Sequence, residues 1–144
     1  MILRPVTDAD AAELLRWRHP DRYETYDFGG DEELSSHYAA EEDDVLVGYC
    51  CFGAEARVDG VHDEPGVLDV GWGLRPDLMG QGRGRAFIET ILALARELYH
   101  PERFRIAVLD WNERSQRAAA SAGFEPTGSV QEQQGRFLLF ERPA

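Results

Sequence analysis

The chain has 144 residues, a formal net charge of -12 at pH 7 and 43% hydrophobic residues. This length suits one domain with a core of ordinary size, so we expect a single domain over residues 1–144. No apolar stretch approaches the roughly 18 to 20 residues that span a bilayer, so we expect no membrane contact. The first residues lack the basic and apolar regions of a signal peptide, which indicates a cytoplasmic protein.

Charge and residue types exclude several classes of protein. Acidic residues outnumber basic ones 27 to 15, so the surface repels the phosphates of DNA and RNA. All fifteen basic residues are Arg, which excludes Schiff-base lysine enzymes and P-loop proteins. Cys50 and Cys51 are adjacent in an apolar run and are expected to be buried, reduced thiols. The four His residues are scattered, so we expect no metal site.

The first half of the chain predicts a strand, a helix and a three-stranded meander. An extended segment over 2–6 precedes Thr7, an N-cap candidate with Asp10 three residues later. The helix that follows should stop at His19-Pro20, because the residue before a proline disfavours helical geometry. Residues 20–35 indicate a short helix or an ordered loop. Antiparallel strands are expected over 36–40, 45–53 and 67–74.

The second half predicts two helices and three strands. A periodic apolar stripe predicts the longest helix over 86–98, which should end before His100-Pro101. A strand over 104–109 and a helix over about 113–122 follow, with Gly123 at the left-handed cap position. Residues 127–133 and 136–141 form a hairpin pattern. The order β-α-(α)-β-β-β-α-β-α-β-β predicts an α/β fold in which helices cover a mixed sheet.

The turn between the strand ending at residue 74 and the longest helix carries the main functional signal. Gly80, Gly82 and Gly84 stand at alternate positions there. Glycines allow backbone N–H groups to converge on one point, with the positive end of the helix dipole behind them. The pattern indicates an anion cradle, most suitably for a phosphate. The alternative is a tight glycine turn with no ligand.

Basic charge is concentrated around this turn. Arg75, Arg83 and Arg85 lie within eleven residues, opposed only by Asp77. By contrast, residues 31–69 contain twelve acidic residues and a single basic one, Arg57. This contrast favours the anion cradle over solvated arginines at the start of a helix.

The motif itself distinguishes between classes of phosphate site. A dinucleotide fingerprint would need a third Gly where Phe87 or Arg85 stands, and the P-loop Lys is absent. The sequence Met79-Gly80-Gln81-Gly82-Arg83-Gly84 instead resembles the pyrophosphate loop of the GNAT superfamily of N-acetyltransferases. That signature reads Arg or Gln, two residues, Gly, one residue, then Gly or Ala. Met79 departs from it, and Arg75, Arg83 or Arg85 could supply the charge.

A second segment carries the same resemblance. Trp111-Asn112-Glu113-Arg114-Ser115, with Ala122-Gly123-Phe124 after it, is similar to the family's Asn-x-x-Ser and Gly-Phe segment. The resemblance implies a GNAT-like fold and acetyl-CoA as cosubstrate, with pantetheine along the strand that ends at Leu74. The residues implied to bind acetyl-CoA are Leu74, Met79, Gly80, Gln81, Gly82, Arg83, Gly84, Arg85, Asn112 and Ser115. For Asn112, a helix N-cap is an alternative compatible with that role.

The implied activity is transfer of the acetyl group to a primary amine by direct attack in a ternary complex. Asp69 stands where some family members carry a Glu that acts as a general base, so it is a candidate base or substrate anchor. The alternative is an ordinary acid on a half-exposed strand face. A backbone N–H near Leu74 could polarise the thioester carbonyl. The family's Tyr acid has no counterpart, because Ala119 occupies that position.

The acceptor is expected to be cationic, a small amine or a peptide amino terminus attracted by the acidic stretch from Asp31 to Asp69. Tyr26, His37 and Trp72, together with Tyr23 and Phe28, are candidates for its pocket, with core packing as the alternative. A homodimer is compatible with the sequence. Two other functions stay open: a non-catalytic CoA-binding sensor or scaffold, and acyl transfer to a hydroxyl or of a longer acyl group.

Overall fold

A seven-stranded mixed sheet and three α-helices make up the fold in the computed structural model, which describes residues 1–30 and 32–144. The strands are β1 (Ile2–Pro5), β2 (Tyr38–Glu42), β3 (Val45–Phe52), β4 (Val67–Leu74), β5 (Arg103–Leu109), β6 (Glu125–Glu132) and β7 (Gly135–Pro143). The helices are α1 (Asp8–Leu14), α2 (Gly84–Tyr99) and α3 (Glu113–Ser121), with 3-10 turns at Asp21–Tyr26, Gly53–Ala56 and Pro76–Leu78. Strand order in the sheet is β1-β2-β3-β4-β5-β7-β6. The predicted α/β class and element order are confirmed.

The chain divides into two compact units, and the first consists of Met1–Cys51 and Trp72–Met79. In it, β1 and β3 both pair antiparallel with β2. Its core is a cluster of apolar residues: Leu14, Trp17, Leu34, Ala39 and Leu46. Burial of these side chains stabilises the folded state by roughly 25 cal/mol per Å² of apolar surface removed from water.

Helix α1 is shorter than the sequence predicted. It ends at Leu14, five residues before His19, because the amides of Arg16 and Trp17 bond to carbonyls three residues back instead of four. The N–H of Arg16 donates to Glu13 and that of Trp17 to Leu14, which tightens the chain into a turn. This turn buries the Trp17 side chain in the core cluster.

The second unit consists of Phe52–Gly71 and Gly80–Ala144. Here β4 pairs parallel with β5, while β5 and β6 both pair antiparallel with β7. The apolar stripe of α2 is buried as predicted, through Phe87, Ile88, Ile91, Leu92 and Ala95. The parallel ladder joins residues 67–69 of β4 to residues 103–105 of β5, and both strands continue beyond it.

Other sequence expectations are confirmed or adjusted by a few residues. Strand β2 begins at Tyr38 instead of residue 36, and Asp43 and Asp44 adopt positive φ in the turn that follows it. Cys50 and Cys51 are buried, and neither forms a disulfide. Gly123 has φ 87° after α3, the left-handed cap that was predicted. Over the part of the chain described, no helix has the length and apolar character required to cross a bilayer.

A charged capping box starts α1. Thr7 Oγ1 accepts the N–H of Asp10, and a carboxylate oxygen of Asp10 accepts the N–H of Thr7 at 2.8 Å. Arg4 donates to both carboxylate oxygens of Asp10. The hydrogen bonds from Arg4, aided by Thr7, lower the pKa of Asp10 from 3.8 to about 2.

This pKa shift predicts a local loss of stability in acid. Because the folded pKa is lowered, the stabilisation is present above about pH 4 and is lost as pH falls to about 2. Asp10→Asn should therefore cost about 1–2 kcal/mol of unfolding free energy at pH 6 and much less near pH 2.5. Urea unfolding at both pH values measures this, with exposed Asp8→Asn in the same helical turn as the control. An equal cost at both pH values would contradict the coupling.

Candidate functional site

The glycine-rich turn has the backbone geometry of an open cradle. Gly80 and Gly82 adopt φ 73° and 74°, left-handed values that L side chains rarely take. Both residues are exposed, and a Cβ built on Gly82 would have no heavy atom within 4 Å. The backbone at Gly82 therefore faces open space. Glycine adopts this positive φ readily because it has no side chain.

The start of α2 adds helix amides that have no partner within the helix itself. Its first intrahelical bond runs from the N–H of Phe87 to the carbonyl of Arg83, at 3.2 Å. The preceding amides, those of Gly84, Arg85 and Ala86, have no carbonyl to bond within their own helix. Among the described residues, the N-cap Arg83 gives no side-chain cap. An anion at this end would meet N–H groups and the positive end of the helix dipole.

The third glycine of the motif serves packing. A Cβ on Gly84 would lie 2.9 Å from the Cβ of Ala118 in α3, closer than such atoms approach in proteins. Gly84 therefore lets the first turn of α2 lie against α3. This contact fixes the position of the α2 amides relative to α3.

An arginine that sequence reasoning missed lies beside the turn. The guanidinium carbon of Arg114, on α3, would be 3.2 Å from a Cβ on Gly80. The sequence held one signal for it, since Arg114 stands inside the Asn-x-x-Ser segment, two residues beyond the N-cap of a helix that packs on α2. Its charge adds to those of Arg83 and Arg85 at the turn.

Arg75, in contrast, is hydrogen-bonded to neighbours in the first unit. Its guanidinium donates to both carboxylate oxygens of Asp77, at 2.6 and 3.1 Å, and to the carbonyl of Leu46 at 3.4 Å. The hydrogen bonds to Asp77 raise the pKa of Arg75 above its usual value. Asp77 therefore already offsets the charge of Arg75.

Asn112 caps α3, which confirms the capping alternative drawn from the sequence. Its Oδ1 accepts the N–H of Ser115 at 3.2 Å, and its Nδ2 donates to the Ser115 hydroxyl at 3.0 Å. Asn112 is buried, and Ser115 is half-buried. The two motif residues are therefore in contact and hold each other, while their role toward a cofactor stays a prediction.

Asp69 lies in a buried ion-pair network. Arg105 donates to both of its carboxylate oxygens, at 2.6 and 3.0 Å, and Arg57 donates to one of them at 3.1 Å. The Asp69 side chain is only 5% exposed, so it does not lie on the half-exposed strand face that was the alternative. Its carboxylate raises the pKa of Arg105, chiefly through these hydrogen bonds. The arginines orient Asp69, whose catalytic role remains a prediction.

The predicted acceptor residues belong to the first unit. His37 is buried and packs edge-on against Phe28, with ring centroids 6.2 Å apart, so the packing alternative holds for its ring. Tyr26 and Trp72 are half-buried, in the 3-10 turn and in β4 respectively. Asp31, at the start of the predicted acidic stretch, lies outside the described residues.

Two sequence expectations about chemistry can be compared with the structure. Ala119, at the position of the family's Tyr acid, is completely buried in α3. Among residues 1–30 and 32–144, no group of three or more His, Cys, Asp or Glu side chains is arranged to hold a metal ion.

The close approach of α2 and α3 predicts a coupled pair of substitutions. Gly84→Ala should destabilise the protein by about 1–3 kcal/mol, because the added methyl overlaps Ala118. In an Ala118→Gly background the same change should cost clearly less. Urea denaturation of the four proteins in this cycle measures the coupling. Additive effects would show that the two residues do not meet.

The chain is similar to a known protein family and to several solved structures. Residues 1–125 match the family model described as the acetyltransferase (GNAT) domain. No curated protein sequence matches the chain. The aminoglycoside acetyltransferase AAC(6')-Ib, solved with paromomycin and acetyl-CoA, is 22% identical with a TM-score of 0.78, over 98% of this chain and 92% of that one.

Two further structures show the same fold in acetyltransferases that act on other acceptors. A ribosomal-protein-alanine N-acetyltransferase from Brucella melitensis is 18% identical with a TM-score of 0.72, and all of both chains is covered. A chimera of the spermidine N-acetyltransferase SpeG from Vibrio cholerae and hSSAT is 11% identical with a TM-score of 0.74, covering 99% of this chain and 94% of that one. The glycine turn, the capped Asn-x-x-Ser segment and a family match over most of its length show that this chain belongs to the GNAT acetyltransferase domain family.

Proposed function

We propose that this protein is an N-acetyltransferase that moves the acetyl group of acetyl-CoA to a primary amine by direct attack in a ternary complex. The observation that carries the proposal is the open turn at Gly80 and Gly82, whose left-handed backbone leads directly into the uncapped first turn of α2. Such a turn suits a diphosphate, which needs several N–H donors at one point. The family membership supports the same cosubstrate.

The residues present fit acetyl-CoA. The backbone from Met79 to Arg85 would hold the pyrophosphate, and the guanidinium groups of Arg83, Arg85 and Arg114 would offset its charge. Asn112 and Ser115 would face the pantetheine. The pantetheine would pair with the β4 backbone toward Leu74, as an added strand does. The β4–β5 ladder ends at residues 69 and 105, so the part of β4 beyond residue 69 is not paired in that ladder.

The thioester of acetyl-CoA supplies an activated acetyl group, and the protein must supply a neutral amine next to it. An alkylammonium with a pKa near 10 is only about one part in a thousand neutral at pH 7, so a proton acceptor is needed. We propose Asp69 as that base or as an anchor for the amine. A backbone N–H near Leu74 would polarise the thioester carbonyl.

A cationic acceptor suits the charge of the protein. The described part of the acidic stretch, residues 32–69, carries eleven acidic residues and only Arg57, and the whole chain has a net charge of -12. Such a surface attracts cations over distances up to about 8–10 Å in physiological salt. We propose that the acceptor is a small amine or a peptide amino terminus, with Tyr26 and Trp72 at its pocket.

A panel of amines tests the activity. Release of free CoA thiol from acetyl-CoA would be followed with an aminoglycoside, spermidine and a peptide that begins with alanine, the three acceptor types of the structural neighbours. Amine-dependent thiol release is the expected result. Tight binding of acetyl-CoA without release for any amine would instead favour a non-catalytic CoA-binding module.

Binding at the turn is tested by two variants of Gly82. Acetyl-CoA at 100 times its Kd should stabilise the wild-type protein by about 2.7 kcal/mol, a melting shift of roughly 5–11 °C. Gly82→Asp should abolish most of this shift, because a carboxylate would face the pyrophosphate. Gly82→Asn is the matched control, since it has the same size and tolerates positive φ but carries no charge. Equal shifts in folded wild-type protein and Gly82→Asp would contradict the site.

The role of Asp69 is tested against its ion-pair partner. Asp69→Asn should lower kcat about 100-fold or more, as loss of a general base does, while acetyl-CoA still binds. Arg57→Gln is the control, because it removes one of the two arginine partners of Asp69 and leaves the carboxylate in place. It should keep most of the activity. Equal losses of kcat and of unfolding free energy in both variants would show that Asp69 acts only through the ion-pair network.

A further inference from the structure

Tyr49, on β3, lies directly over the backbone of Gly73 near the end of β4. A Cβ built on Gly73 would overlap the ring edge of Tyr49 and lie 2.7 Å from its Oη. Any other residue at position 73 would therefore push the ring away. The glycine and the tyrosine together place a phenol hydroxyl against the last residues of this strand.

The surroundings hold the Tyr49 ring in place. It packs against Phe28 with ring centroids 5.0 Å apart and against His37 at 6.0 Å. It also packs against the core cluster of the first unit. The residue is nevertheless only half-buried, so part of the side chain reaches the surface. A rigidly held phenol with an accessible edge is a well-positioned hydrogen-bond donor.

The environment also keeps this phenol protonated. Burial raises the pKa of Tyr49 well above its usual value, and the nearby Cys51, Tyr26 and Glu32 add to the effect. The hydroxyl thus remains an O–H donor throughout the neutral and mildly alkaline range. A donor is useful here because Ala119, at the position of the family's Tyr acid, has no polar side chain and is completely buried.

The proposed function brings the thioester to the β4 backbone near Leu74, and the inference rests on it. We propose that the Tyr49 hydroxyl donates a hydrogen bond to the sulfur of CoA. During transfer, the amine nitrogen bonds to the acetyl carbon while the carbon–sulfur bond breaks and its electron pair passes to sulfur. The proton that the amine loses goes to Asp69, the proposed base, and from there to water, while the released thiolate takes a proton from water. Tyr49 keeps its own proton and stabilises the negative sulfur as a donor.

Ligand binding tests the hydrogen bond without any acceptor amine. Tyr49→Phe keeps the ring and removes only the hydroxyl, and desulfo-CoA lacks only the sulfur. At pH 9 most of the CoA thiol is ionised, since its usual pKa is about 8.5. Calorimetric titration should then show CoA binding about 10-fold or more weaker in Tyr49→Phe, with desulfo-CoA within about twofold of wild type.

Tyr99→Phe is the control for loss of a phenol elsewhere, because Tyr99 is 50% exposed on α2. It should bind both ligands as wild type does. An unchanged CoA affinity in Tyr49→Phe, or an equal weakening for CoA and desulfo-CoA, would overturn the inference. Wild-type protein that binds neither ligand would overturn the proposed function as well, so the two failures are distinguishable.

A second variant approaches the same contact from β4. Gly73→Ala should displace the ring and weaken CoA more than desulfo-CoA, whereas Gly128→Ala, which has open space around its Cβ in β6, should do neither. Single-turnover kinetics with the best amine of the panel should show a 10- to 100-fold slower chemical step for Tyr49→Phe, with little change in KM. A step as fast as that of wild type would contradict a role at the sulfur.

Discussion

The close approach of α2 to α3 is the constraint on which the proposed cofactor site depends. Gly84 lets the first turn of α2 lie on Ala118, and the amides ahead of that turn are then directed by the left-handed residues Gly80 and Gly82. The same packing brings Arg114 of α3 beside Gly80. The three glycines therefore act differently: two set the backbone direction, and one permits helix packing.

Electrostatics in this protein are organised by arginine. With no Lys in the chain, each cation is a planar guanidinium able to bind a carboxylate through two hydrogen bonds. Arg4 binds Asp10 and Arg105 binds Asp69 in this way, which ties carboxylates of a strongly acidic protein into the fold. Arg83, Arg85 and Arg114 lie in or beside the glycine turn, where the anionic ligand is proposed to bind. The rest of the acidic surface suits a cationic acceptor.

In the proposed mechanism, a tyrosine hydroxyl still stabilises the sulfur of CoA, but the tyrosine comes from a different strand. The position expected to carry a phenol holds the buried Ala119, while Tyr49 places a phenol at Gly73 from another strand. Proton loss from the amine and stabilisation of the sulfur would then involve separate groups, Asp69 and Tyr49. Each group has an independent test, since one depends on a carboxylate and the other on a neutral hydroxyl.

Much of the fold and of the proposed cofactor site was predictable because the signals are local. Hydrophobic periodicity predicts α2, the Thr7 capping box predicts the start of α1, and glycine spacing marks the turn before α2. These patterns depend on neighbours within a few residues. The predicted end of α1 was wrong. Burial of Trp17 in the core favoured a tighter turn than local propensity indicates.

The sequence by itself determined the family, the order of elements and the position of the glycine-rich turn, since these follow from residue type and spacing along one segment. Only the tertiary structure decided which charges are already engaged, as with Arg75 on Asp77 and the two arginines on Asp69. It alone also brought Tyr49 to Gly73 and Arg114 to Gly80. These contacts join residues 24 and 34 positions apart, and such pairings arise from packing of separate elements, which local patterns do not encode.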